Sequence, residues 1–188
     1  MKQTGLVAGI VLVAFFTGCN KINQLADINV NIPYNTQVTV PQVDGDTVGF
    51  PLPPGGVAVS FPTIAIATNS QQYIAEYNTS TDKILNVDLQ SLALQILSPA
   101  NQNFNFLDSV EIYISTKSLP EMLVAYAYNI PKGQTSLNLT TEANVNLKTY
   151  FIQDTIIFRL NTHINAIPAS GTQLNIASTF HLLANPLD

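Results

Sequence analysis

Apolar residues in this chain recur at every second position in short runs, and almost nowhere at the spacing of a long amphipathic helix. Successive strand side chains point to opposite faces, so this alternation commits each run to a half-buried strand. The cleanest runs are Val110, Ile112 and Ile114, then Ile156, Phe158, Leu160 and Ile164, then Leu174, Ile176, Phe180 and Leu182. Ile28, Val30, Ile32, Tyr34, Val38 and Val40 also share one parity, with Pro33 among them. Proline cannot donate to a ladder, which places that strand at an edge or breaks it in two. Further strands are expected over residues 57–67, 83–97, 122–128 and 136–140, and residues 145–153 read as a short strand followed by a helical turn. Between Lys83 and Leu97 the alternation changes phase: Val87 and Leu89 are odd-numbered, Leu92, Leu94 and Ile96 even. A one-residue slip would turn half the strand inside out, so a bulge is expected near Gln90-Ser91.

Turn signals punctuate these runs, at Asn78–Asp82, Pro131-Lys132-Gly133 and Pro168–Gly171. The last is expected to close a hairpin that pairs Ile164 with Leu174. The one helix expected covers Gln71–Tyr77, with Thr68, Asn69 and Ser70 as N-cap candidates. Seven to nine short strands without a βαβ rhythm predict an all-β domain over residues 27–188, a single antiparallel β-sandwich of immunoglobulin-like type with one short helix. Residues 41–56 form an irregular loop, since Pro51-Leu52-Pro53-Pro54-Gly55-Gly56 cannot continue a ladder.

The N-terminus follows different rules. Lys2 precedes an apolar stretch from Gly5 to Phe16, too short to span a hydrocarbon core of ~30 Å, which needs about 20 residues. It reads as an export signal. The stretch ends in Phe16-Thr17-Gly18-Cys19, and Cys19 is the sole cysteine. This resembles the lipobox of bacterial lipoproteins, with Phe16 where leucine is usual. The resemblance implies that residues 1–18 are a lipoprotein signal peptide, that Cys19 is the lipidation (palmitate) site, and that residues 19–26 are a lipidated tether to a membrane. Leu107–Ile114 followed by Leu119–Ala125 resembles a segment of small Bacteroidota envelope lipoproteins. That implies a sandwich fold and an outer-membrane location, and no particular activity. No acidic cluster follows Cys19, which favours the periplasmic face over the cell surface.

Charge removes other functions. The chain has seven basic and twelve acidic residues, and loss of Lys2 with the signal leaves a net charge of −6. The remaining cations are scattered, so nucleic acid is excluded as a partner, since phosphate binding needs clustered lysine and arginine.

Candidate chemistry is sparse. The two histidines, His163 and His181, fall on outward parities, and the expected hairpin holds them ~20 Å apart at 3.4 Å per residue, too far to share a metal. Glu111 and Glu121 are the carboxylates best spaced for glycoside hydrolysis, but Glu111 reads as solvated and the chain lacks tryptophan. Asp44 and Asp46 beside Gly45, joined in space by Asp27 or Asp88, resemble a fragment of a calcium loop without its full pattern. Acids in a glycine turn are turn formers first. Asp46-Thr47-Val48, Asp108-Ser109-Val110 and Asp154-Thr155-Ile156 resemble the triplets O-glycosylated in exported Bacteroidota proteins. No catalytic, cofactor-binding or metal-ligating residue is expected, and no enzyme. The expected function is an envelope lipoprotein acting as an interaction or structural module, binding a protein or glycan through loops or a sheet face. The alternative is a carrier holding a small apolar ligand or lipid inside the sandwich.

Cys19→Ser should leave the precursor uncleaved and unlabelled by a palmitate analogue, while the domain still folds. Continued labelling of the variant would rule out Cys19 as the acylated residue.

Overall fold

The computed structural model describes residues 27–40 and 51–186. Cys19, the signal, the tether and the acids Asp44 and Asp46 lie outside them. The elements run β1 (Ile28–Thr39), β2 (Val57–Ser60), β3 (Ile64–Ala67), α1 (Ser70–Glu76), β4 (Ile84–Ser98), β5 (Leu107–Ser115), β6 (Met122–Tyr128), β7 (Ser136–Thr141), α2 (Lys148–Phe151), β8 (Thr155–Ile164) and β9 (Gln173–Ala184). No described helix is long and apolar enough to cross a membrane.

The class is all-β and antiparallel, as the alternation predicts. The strands form one curled sheet in the order β1-β9-β4-β7-β6-β5-β8-β2, with β3 also paired to β8. The pairs β1 with β9, β2 and β3 with β8, β4 with β7, and β5 with β6 nest inside one another. They are successive rungs of one long two-stranded ribbon wound on itself, with β4 docked on β9 and β5 on β8. With β2 and β3 counted as one interrupted strand, this is the strand order of a jelly roll. This order differs from the immunoglobulin-like arrangement expected from the short strands, their turn signals and the lack of a βαβ rhythm.

The expected Ile164–Leu174 hairpin does not form. Residues 165–172 carry the chain across the roll, because β8 pairs with β2, β3 and β5, and β9 with β1 and β4. The inward parities survive: Phe158, Leu160, Ile164, Leu174, Ile176, Phe180 and Leu182 are all buried. Alternation fixes which way a residue faces, and both arrangements satisfy it equally.

Local chemistry explains the irregularities. β4 takes one extra residue between Leu89, opposite Phe180, and Ser91, opposite Thr179. The bulge at Gln90 keeps Val87, Leu89, Leu92, Leu94 and Ile96 all in the core. The expected strand at 57–67 breaks at Phe61-Pro62-Thr63, yet both pieces pair with β8 and the Phe61 amide donates to the Leu160 carbonyl across the gap. Gly56 precedes β2 at φ +79, and a Cβ there would meet the Ile164 carbonyl at 2.3 Å, so only glycine fits. Pro33 stays within a continuous β1 because that strand lies at the end of the sheet. Its missing donor is harmless on the free edge, and it interrupts that edge as a template for another strand.

The helices differ from expectation in detail. α1 begins after Asn69, which is left-handed at φ 50 and provides no side-chain cap. The Thr68 hydroxyl accepts from the Ser70 amide instead. No strand forms at residues 145–147; Leu147 donates to the Val87 carbonyl and leads into α2.

One core cluster gathers the inward residues of both halves of the roll. Phe104, Phe151, Phe158 and Phe180 are its largest fully buried side chains. Phe158→Asp places an unpaired charge in this layer and should cost more than about 4 kcal/mol, whereas Ile157→Asp, one residue along on the outward face, should cost about 1 kcal/mol or less. Urea melts of the two variants compare them directly, and equal losses would reverse the parity of β8.

A tyrosine–carboxylate face on β5, β6 and β8

The outward positions of β5 are Ser109, Glu111, Tyr113 and Ser115. On one side Tyr128 lies opposite Ser109 and Tyr126 opposite Glu111. On the other, His163 lies opposite Ser109, Asn161 opposite Glu111 and Arg159 opposite Tyr113. Directly opposed side chains in an antiparallel pair are close enough to interact, so this register assembles the face. A register shift between Ile112 and Tyr113 lets Val124 and Ala125 of β6 both turn inward while Tyr126 returns outward.

Glu111 is the hub. Its Oε1 accepts from the Tyr128 hydroxyl at 2.8 Å, and its Oε2 from the Tyr113 hydroxyl at 3.0 Å and the Asn161 amide at 3.2 Å. The Tyr128 phenol, then the Asn161 amide and the Tyr113 phenol, hold this carboxyl below the usual carboxylate range. The same bonds push both phenols up, because a donor to a carboxylate resists losing its proton. Beside the hub, Arg159 makes a fork to Glu121, with Nε to Oε1 and Nη2 to Oε2 both at 2.8 Å. Its guanidinium lies 4.5 Å from the Tyr113 ring centroid, a cation–π contact. The fork lowers the Glu121 pKa and raises that of Arg159. Tyr126 and Tyr128 stack with centroids 5.0 Å apart, and Tyr128 is 51% exposed. At the end of the face Asp108 receives the Asn165 amide, with His163 Nδ1 at 3.6 Å and Lys132 Nζ at 3.9 Å.

These contacts revise several expectations. Glu111 is not simply solvated, and Glu111 and Glu121 each have separate partners rather than acting as a pair. Both histidines do face outward, but on different halves of the roll rather than on the two strands of one hairpin. His163 lies opposite Ser109 and Ala58. His181 lies opposite Asn31 and Asp88, with Nδ1 3.0 Å from Asp88 Oδ1 and Nε2 2.7 Å from Asn29 Oδ1. Among the described residues no group of three or more His, Cys, Asp or Glu converges on a possible metal position. Of the triplets, Asp108-Ser109-Val110 opens β5 with Asp108 already engaged, and Asp154-Thr155-Ile156 runs into β8 with Ile156 in the core. Asp46-Thr47-Val48 lies outside the described residues. Leu92, Leu94, Ile112, Ile114, Phe158 and Phe180, the residues expected to fill the interior, are each at most 1% exposed.

Tyr113, Tyr126, Tyr128 and Asn161 were not singled out from the sequence. The available signal was Tyr126 and Tyr128 at the parity that alternates with Ala125 and Ala127, and Tyr113 at the parity that alternates with Ile112 and Ile114. Large aromatic side chains on an outward parity are the informative exception to an apolar-inside pattern.

Because the folded pKa of Glu111 is depressed, its stabilising contribution is complete above the ordinary carboxylate pKa of about 4.3 and is lost as pH falls below it. The difference in melting temperature between the natural chain and Glu111→Gln should therefore shrink from about pH 6 to about pH 3. A constant difference over that range would show that the bonds do not depend on the ionised carboxylate.

No protein-family model and no curated protein matches the chain. Among solved structures it is similar to a chain of Desmodium yellow mottle tymovirus, at 13% identity and a TM-score of 0.29, covering 100% of this chain and 98% of that one. A chain of the empty head of turnip yellow mosaic virus gives 12% identity and a TM-score of 0.31, covering 100% and 92%. A chain of infectious bursal disease virus Gt strain gives 15% and 0.29, covering 96% and 46%. Likeness at this level carries no argument about what the chain does.

Proposed function

We propose that the chain is a lipid-anchored envelope module without catalytic activity, which binds a partner protein through the tyrosine face of β5, β6 and β8. The anchor, Cys19, rests on the lipobox resemblance; the outer-membrane location rests on the resemblance of Leu107–Ile114 and Leu119–Ala125, and its periplasmic face on the lack of acids after Cys19.

The observation that supports binding is a cluster of outward-facing tyrosines, Tyr128 exposed and Tyr113 and Tyr126 half-buried, already locked in place. Tyr113 and Tyr128 are tied to Glu111, and Tyr126 stacks on Tyr128. Tyrosine and arginine are the side chains most enriched at protein contacts, and a side chain fixed beforehand loses less freedom on association. The same bonds argue against acid–base catalysis on this face. Glu111 is held ionised and accepting, its tyrosines neutral and donating, and none of them exchanges protons near neutrality.

Tyr128→Ala should lower recovery of the partner from detergent-solubilised envelope by about tenfold or more, the range of an interface hot spot. Ser136→Ala, exposed on β7, should leave recovery unchanged. A partner retained equally by both variants would place the interface elsewhere.

A further inference from the structure

At Gln90 the bulge of β4 leaves the regular ladder, and a cleft of about 580 Å³ opens between this strand and the chain from Thr141 to Asn146. That volume is within the range of about 300–1,000 Å³ of small-ligand sites. The wall facing β4 is fixed rather than loose. The Glu142 amide donates to Val124 at 2.9 Å and the Leu147 amide to Val87 at 2.6 Å, tying it down at both ends. Asn144 makes the turn between them in the left-handed region, at φ 61.

The polar groups of the cleft fall into two sets. Asn146 is committed to the backbone, accepting from the amides of Val87 and Lys148 and donating to the Leu85 carbonyl. Asp88 is aimed by two neighbours, Asn86 Nδ2 at 2.9 Å and His181 Nδ1 at 3.0 Å. The side chains of Gln90, Glu142 and Asn144, by contrast, make no hydrogen bond to any described residue.

This lining selects a ligand chemistry. Asp88 and Glu142 bring negative charge and no lysine or arginine lines the cleft, so an anion is repelled. No aromatic side chain lines it, and Leu89, Ala143 and Val145 give only small apolar surfaces, too little for a lipid tail or a large peptide side chain. Carboxylates accept from hydroxyl groups, while primary amides both donate and accept. A ligand rich in hydroxyls, with short C–H edges for the apolar residues, meets all of these groups at once. The geometry points to a binding site for a short neutral saccharide in this cleft, separate from the tyrosine face.

The test is amide-resolved NMR titration of the mature chain with N,N′-diacetylchitobiose, cellobiose and maltose, and with 3′-sialyllactose as the anionic comparison. Each is taken to about 20 mM, well above a millimolar dissociation constant. At least one neutral disaccharide should shift the amides of Gln90 and of residues 141–146 saturably, and sialyllactose should not. Gln90→Ala and Glu142→Ala should each weaken that binding by about tenfold, while Ser136→Ala, exposed outside the cleft, leaves it unchanged. The assignment is overturned by silence from all three neutral probes, by shifts confined to other residues, or by full-strength binding to both cleft variants.

Discussion

The roll is held by its enclosed apolar layer more than by continuity of its sheet. Among the described residues the hydrogen-bonded strand path crosses from one half to the other only between β6 and β7, where just Ala125 with Thr141 and Tyr126 with Thr140 are in register. So few ladder positions cannot keep two curved halves together, whereas each large side chain buried between them contributes about 1.5–3 kcal/mol. The four fully buried phenylalanines, Phe104, Phe151, Phe158 and Phe180, come from different parts of the chain, and the Phe151 ring packs 6.0 Å from that of Phe180. The inward parity of the strands follows from this layer, and β4 keeps it over fifteen residues with register shifts at Leu85, Gln90 and Leu97, the one at Gln90 matching the phase change in the sequence.

With cohesion supplied inside, the outer surfaces are free to differ. The outward side of β5, β6 and β8 carries tyrosines and paired charges. The outward side of β1, β4 and β9 carries mainly neutral groups such as Asn35, Gln37, Gln95, Asn175 and Thr179. On the first surface the charges satisfy one another: Arg159 is only 25% exposed and forked to Glu121, and Glu111 accepts from three donors.

What was legible in the sequence follows the range of each interaction. Parity is set by nearest neighbours, so the inward faces of β5, β8 and β9 could be read directly, and the phase change at Gln90 announced its own bulge. Strand partnership is a long-range choice. A hairpin at Pro168–Gly171 and a crossing between halves bury the same residues, and composition does not distinguish them. The role of Glu111 was hidden for the same reason, since Tyr128 and Asn161 are 17 and 50 residues away in sequence. Ser178 shows a smaller failure of this kind: it takes an inward position in β9 with its hydroxyl buried and unpaired, which alternation of apolar residues cannot anticipate.

The pairing of β1 with β9 also sets an orientation. Ile28 begins β1 beside Ala184, which in turn faces Ile84, so all three mark one end of the roll. Cys19 precedes Ile28 by nine residues, a leash of about 30 Å at full extension. If Cys19 carries acyl chains, this end hangs within that distance of the bilayer surface. Asn86 and Glu142 lie towards the leashed end, while Tyr128, beyond the Tyr126–Thr140 pair on β6, lies towards the other. The cleft would then meet sugars close to the headgroups, and Tyr128 would stand farther from the bilayer than Tyr113, which lies opposite Leu123 on the leashed side of Tyr126.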